Sequence, residues 1–144
     1  MKILILNGPN LNLLGLREPE VYGKQTYSDL CNIITSHSTV IGVDVEIRQT
    51  NHEGVLVDWI QSARGVFDGI ILNPAAYIHT SVALLDAVVA VGVPTVEVHI
   101  SDVTKREAFR QVSYVRNACV GTVMGHGFAG YLEAMDLLKR TIDS

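Results

Sequence analysis

Lys2-Ile3-Leu4-Ile5-Leu6 runs straight into Asn7-Gly8-Pro9-Asn10, and the reading of this stretch decides the fold. A short, unbroken apolar run closed by a turn predicts a strand buried on both faces, because a strand with one wet face would alternate. Gly69-Ile70-Ile71-Leu72 repeats the pattern and stops at Asn73-Pro74. Tyr27 to Ile41 predicts a helix, with Thr26 as its cap and Gly42 as its stop. Val43 to Gln49 alternates apolar and polar and predicts a strand exposed on one side. Further helices are predicted over Glu53 to Arg64, ended by Gly65, and over Thr80 to Val91, ended by Gly92-Val93-Pro94. Thr95 to Ile100 predicts a strand, Lys105 to Arg110 a short helix, Cys119 to Met124 the last strand and Phe128 to Ile142 the last helix.

Strands alternating with helices, two of the strands almost wholly apolar, predict an α/β fold with a parallel sheet covered on both faces. Right-handed crossovers make it a doubly wound, five-stranded sheet of the flavodoxin-like kind, in the order 2-1-3-4-5. The 144 residues suit one domain over residues 1–144, and no repeat or low-complexity tract divides them. With 48% apolar and 18% charged residues the chain is no candidate for disorder. No apolar run approaches the roughly 20 residues that span a bilayer, and the N-terminal stretch is too short for a signal peptide. The expectation is a cytoplasmic protein without membrane association. A net charge of −4 with no basic block speaks against a general nucleic-acid binder, though a local cluster of cations could hold a small anion. Cys31 and Cys119 lack metal-ligand spacing and are expected to be two buried thiols.

Sheets of this kind bind ligands outside the carboxyl ends of their strands. Three segments fall there. Asn7 to Gly23 far exceeds the usual connection of about 2–6 residues, and carries three asparagines, Arg17 and Tyr22; a surface excursion without a role is the alternative. Asn73 to Ser81 leads from a buried strand into a helix that Thr80 or Ser81 can cap. His79 within it suits either a structural hydrogen bond or a ligand contact. In the third, Glu97-Val98-His99-Ile100-Ser101-Asp102, residues two apart share a face, so Glu97 and His99 point the same way. A carboxylate beside an imidazole fixes its tautomer and raises its proton affinity; a purely structural pair is the alternative. Asp86 is the only charge on an otherwise apolar helix that suggests a partner subunit. It needs a hydrogen-bond partner, structural or across a subunit boundary. No dinucleotide fingerprint, P-loop or H-E-x-x-H spacing occurs, and Asn7 stands where a phospho-acceptor domain would carry acid.

The run from Asn7 to Gly23 resembles the N-terminal signature of the type II 3-dehydroquinases. Asn51-His-Glu-Gly54, His79-Thr-Ser-Val-Ala83, Glu97-Val-His-Ile-Ser101 and Gly127-Phe-Ala-Gly-Tyr131 resemble further motifs of that family, in order along the chain. The resemblance implies reversible dehydration of 3-dehydroquinate to 3-dehydroshikimate, a step of the shikimate pathway to aromatic amino acids that quinate breakdown also uses. It implies no cofactor, no metal, no Schiff-base lysine, and a homododecamer built from trimers. Matched position by position, Tyr22 would be the base and His99 the general acid. Arg17 would sit beside Tyr22, Asn12 would hold a water against the enolate, and Glu97 would orient His99. Asn73, His79, Ile100, Ser101 and Arg110 would bind substrate, and Asp86 would reach in from a neighbouring subunit.

The residue types suit the chemistry. A tyrosine with a pKa of about 10 is a poor base at neutral pH unless a cation stabilises its phenolate, and a guanidinium cannot lose its own proton. An enolate needs a donor in place before charge develops, and a leaving hydroxyl needs a proton. Backbone N–H groups of Ile100 and Ser101 can hold a carboxylate. The chain departs from the family pattern at Ala75, where glycine is common, at Ile78, and at Leu85, where an arginine is common beside Asp86; Val112 and His126 also differ. These departures leave room for a second reading, a non-catalytic module binding a small carboxylate.

Overall fold

The computed structural model describes residues 1–16, 20 and 23–144. Five parallel strands form one sheet: β1 (Lys2–Asn7), β2 (Asp44–Gln49), β3 (Gly69–Asn73), β4 (Thr95–His99) and β5 (Gly121–Met124). Their order is β2-β1-β3-β4-β5. The expected doubly wound topology is present. β1 and β2 align Lys2 with Asp44 and Asn7 with Gln49, while β1 and β3 align Asn7 with Asn73. Strand ends that carry polar side chains therefore meet along one edge.

The alternation of side chains along β1 divides the core. Ile3 and Ile5 face α1 (Tyr27–Ile41) and α4 (Ala129–Asp143), packing with Leu30, Ile34, Met135 and Leu138. Leu4 and Leu6 face the opposite way, toward α2 (Glu53–Ser62) and α3 (Val82–Val91), packing with Leu56, Ile60, Leu84 and Val88. Each such side chain, fully buried, contributes about 1.5–3 kcal/mol against conformational entropy. Among the described residues no helix is long and apolar enough to cross a membrane.

Local chemistry sets the helix ends. Thr26 and Asp29 form a reciprocal capping box at the start of α1, at 2.9 and 3.1 Å, and Gly42 closes the helix with φ 72°. Ser81, not Thr80, caps α3 by accepting from Leu84 N at 3.0 Å; Thr80 belongs to the turn that follows a 3-10 segment, Ala75–His79. The helix expected over Lys105 to Arg110 does not form. Asp102 caps a short 3-10 turn, Val103–Lys105, the backbone is extended at Arg106 and Glu107, and a second turn covers Ala108–Gln111. The strand expected from Cys119 begins at Gly121, because Arg116–Ala118 forms a 3-10 turn just before it. Cys31 and Cys119 are half-buried, not buried as expected.

α3 buries Leu84, Ala87 and Val88 and leaves Val82 and Val89 exposed on the single chain. Asp86 is exposed as well and has no partner among the described residues. Of the two expected settings, a structural partner within the fold or a contact across a subunit boundary, the single chain supplies no structural partner among the described residues.

Candidate active site

Glu97 is shielded from solvent in the middle of β4, yet four side chains donate to it. His99 Nε2 lies 3.1 Å from Oε2, and Ser113 Oγ donates to the same oxygen at 2.6 Å. Arg116 Nε donates to Oε1 at 2.8 Å and Thr122 Oγ1 at 3.0 Å. Burial alone would push this carboxyl up; the hydrogen bonds from His99, Arg116 and Ser113 outweigh it and hold the pKa at about 2. An ionised carboxylate only accepts, so His99 Nε2 carries a proton and Nδ1 is the ring nitrogen outside this bond.

That depressed pKa is also a stability statement. A carboxyl whose folded pKa lies below its unfolded value stabilises the fold above the unfolded pKa and loses that contribution as pH falls toward the folded one. For Glu97 the window runs from about pH 4.3 down to about 2 and is worth about 3 kcal/mol. Urea midpoints measured across that window should fall steeply for the native chain and less steeply for Glu97→Gln. Parallel slopes would show that the carboxylate carries no such coupling.

At the end of β3, Asn73 is buried and oriented at both ends of its amide. Its Nδ2 donates to Tyr131 Oη at 2.8 Å, and its Oδ1 accepts from Ala75 N at 3.2 Å. Tyr131, wholly buried on α4, donates in turn to Asn7 Oδ1 at 2.6 Å. The ends of β1 and β3 are thus joined through one phenol. Gly8 makes the approach possible: a Cβ there would meet the Pro74 carbonyl oxygen at 2.5 Å.

Ala75 has φ 52°, in the left-handed region where a Cβ is strained. A glycine at this position would adopt the same backbone without that strain. Ala75→Gly should stabilise the chain by about 0.5–1 kcal/mol after the added freedom of the unfolded chain is subtracted, raising Tm by about 2–3 °C. A lower Tm in a thermal melt would contradict this.

His79 Nδ1 donates to the Val112 carbonyl at 2.7 Å, leaving Nε2 as the outward nitrogen. Burial lowers its pKa, the Val112 bond opposes that, and the nearby His99 and Arg110 lower it further, so the ring is neutral at pH 7.

Asn73, His79, His99, Ile100, Ser101 and Arg110 all line one small cavity at the carboxyl edge, partly open to solvent. The structure brings these six expected residues together. It adds Arg106, which sequence reasoning missed although Arg106 and Arg110 are four apart in a segment read as a helix. Arg110 Nε is held by Glu107 Oε2 at 2.7 Å. Glu97 stands behind His99 and does not line the cavity. Asn12 is exposed and is not among the lining residues; its Oδ1 accepts from Gln49 Nε2 at 3.4 Å, on the β2 side of the loop. Asp86 does not line the cavity of its own chain either. Arg17 and Tyr22 lie outside the described residues. The loop leading to them is pinned by Leu11 and Leu14, both buried, so its first half is packed structure.

The family model for Dehydroquinase class II matches residues 1–139. The 3-dehydroquinate dehydratase of Clostridium acetobutylicum is 46% identical over 142 residues, covering 99% of both chains. That of Dinoroseobacter shibae is 52% identical over 136 residues, covering 94% of this chain and 91% of its own. Among solved structures, the type II dehydroquinase from Butyrivibrio crossotus superposes with a TM-score of 0.95 at 45% identity, covering 96% of this chain and 97% of its own. The cavity at the carboxyl edge, the sheet that builds it and these similarities over nearly the whole length agree: the chain belongs to the class II dehydroquinases.

Proposed function

We propose that this protein dehydrates 3-dehydroquinate to 3-dehydroshikimate, reversibly, through an enolate. The observation that carries the reading is His99 at the cavity wall, its tautomer set by an ionised Glu97, among neutral donors and two arginines. Tyr22, its phenolate stabilised by Arg17, removes the proton next to the ketone. Charge moves to the ketone oxygen, where a water held by Asn12 donates. The enolate then collapses, the C–O bond on the far side breaks, and His99 gives the leaving hydroxyl its proton, so water departs. Asn73 and His79 hold ring hydroxyls. The backbone N–H groups of Ile100 and Ser101, with Arg110 nearby, hold the carboxylate. Arg106 at the same wall adds positive charge on that side.

No metal or imine takes part in this scheme. Turnover, followed by the ultraviolet absorbance of the conjugated product, should persist in EDTA and survive borohydride added with substrate. Loss of activity in EDTA would sink the metal-free mechanism, and absence of turnover in any buffer would sink the dehydratase. The reading carries a cytoplasmic homododecamer of trimers, in which Asp86 reaches a neighbouring cavity. Exposed Val82 and Val89 on the same helix as the solvent-facing Asp86 support an assembly through α3. Light scattering should give a mass near twelve chains, and a stable monomer would contradict it.

A further inference from the structure

We propose that Arg116 is a positioning residue: by holding one oxygen of Glu97 it limits how much of that carboxylate's charge reaches His99, and so sets the pH at which His99 carries its proton. The geometry divides the carboxylate. Oε1 accepts from Arg116 Nε at 2.8 Å and from Thr122 Oγ1 at 3.0 Å, while Oε2 accepts from Ser113 Oγ at 2.6 Å and faces His99 Nε2 at 3.1 Å. Arg116 Nη2 reaches across to Oε2 at 3.5 Å. The shortest contact to a full charge is with the guanidinium, and the imidazole shares an oxygen already bonded to a hydroxyl.

A buried carboxylate facing only a histidine raises the histidine's proton affinity strongly. Here a cation that never loses its proton stands on the other side of the same carboxylate and offsets that effect. Arg116 is held in place by its neighbour: Val115, which precedes its 3-10 turn, is fully buried. Among the described residues, the other titratable or charged groups facing the pair are His79, Arg106 and Arg110 around the cavity and the Cys119 thiol on the segment before β5. Burial and the charge of Glu97 push that thiol up to about 12, so it stays protonated, and the arginines keep their charge throughout the working range. Neither the thiol nor the arginines change charge as His99 titrates. His79, already shifted down, loses its proton below neutral pH.

The consequence for catalysis rests on the dehydratase reading. A general acid that must surrender its proton and recover it in reverse works best with a pKa near the operating pH. Without Arg116, the charge of Glu97 that faces His99 would have no cation on its other side.

The test titrates His99 directly, by the NMR shifts of the ring protons of the five histidines, with the His99 signal assigned by its loss in His99→Asn. In Arg116→Met the midpoint of His99 should rise by about one pH unit. Arg116→Gln, which keeps a donor to Oε1 but no charge, should show the same rise and serves if the methionine variant does not fold. Arg116→Lys should restore most of the original midpoint. Under turnover, the alkaline limb of the kcat profile should move up by the same amount with KM nearly unchanged. An unmoved or lowered midpoint in a folded, charge-free variant overturns the inference, and a stability loss alone with unchanged titration would show a merely structural arginine. The titration needs no turnover. A raised midpoint in a protein that fails to dehydrate would remove the dehydratase and leave this inference standing; active variants with an unmoved midpoint would do the reverse.

Discussion

His99→Asn should lower kcat by about 10²–10⁴-fold, the usual loss when a positioned general acid is removed. The fold should survive. Glu97 keeps Ser113, Arg116 and Thr122 as donors when the imidazole is gone, so no buried charge is stranded. Steady-state kinetics beside far-UV circular dichroism would separate a chemical defect from a folding one. A sharper readout is available, because the proposed mechanism has His99 act after the enolate has formed. Exchange of the substrate's acidic C–H with deuterium from solvent should continue in His99→Asn while elimination stops. If exchange and elimination fall together, His99 is not the acid of the second step; if kcat changes only a few-fold, it is not an acid at all.

Tyr22→Phe should show the opposite signature. Removing the base should cost elimination about 10²–10⁴-fold or more and abolish the exchange reaction as well. Two buried phenols cannot replace it. Tyr27 and Tyr131 are both pushed well above the ordinary tyrosine pKa by burial, so neither is a phenolate at working pH. An unimpaired Tyr22→Phe would end the assignment of the base, and exchange that persists without elimination would place Tyr22 elsewhere in the mechanism.

The aromatic residue that the structure adds to the site is Tyr131. Sequence reading reached Gly127 to Tyr131 only as a motif. It had no means to see that a residue of the last helix bridges the ends of β1 and β3 through Asn7 and Asn73. Glu97 was legible as an expensive charge in an apolar strand, and its pairing with His99 followed from the two-residue period. Its other donors, Ser113, Arg116 and Thr122, come from 16 to 25 residues further along the chain, and no local pattern marks them.

Period and punctuation thus determined the strands, the order of the sheet and the loops that gather at its edge. These depend on neighbours a few residues apart, on side-chain alternation and on the rule that crossovers are right-handed. The Lys105 to Arg110 segment marks the limit. Its composition suits a helix, but the Asp102 cap and an extended backbone at Arg106 and Glu107 break it into two turns, and both arginines still reach the cavity wall. Only the tertiary structure decided that outcome, along with the charge state of Glu97 and the left-handed backbone of Ala75. Each is set by groups distant in sequence, whose energies of burial, hydrogen bonding and packing are comparable to or larger than the local preferences they override.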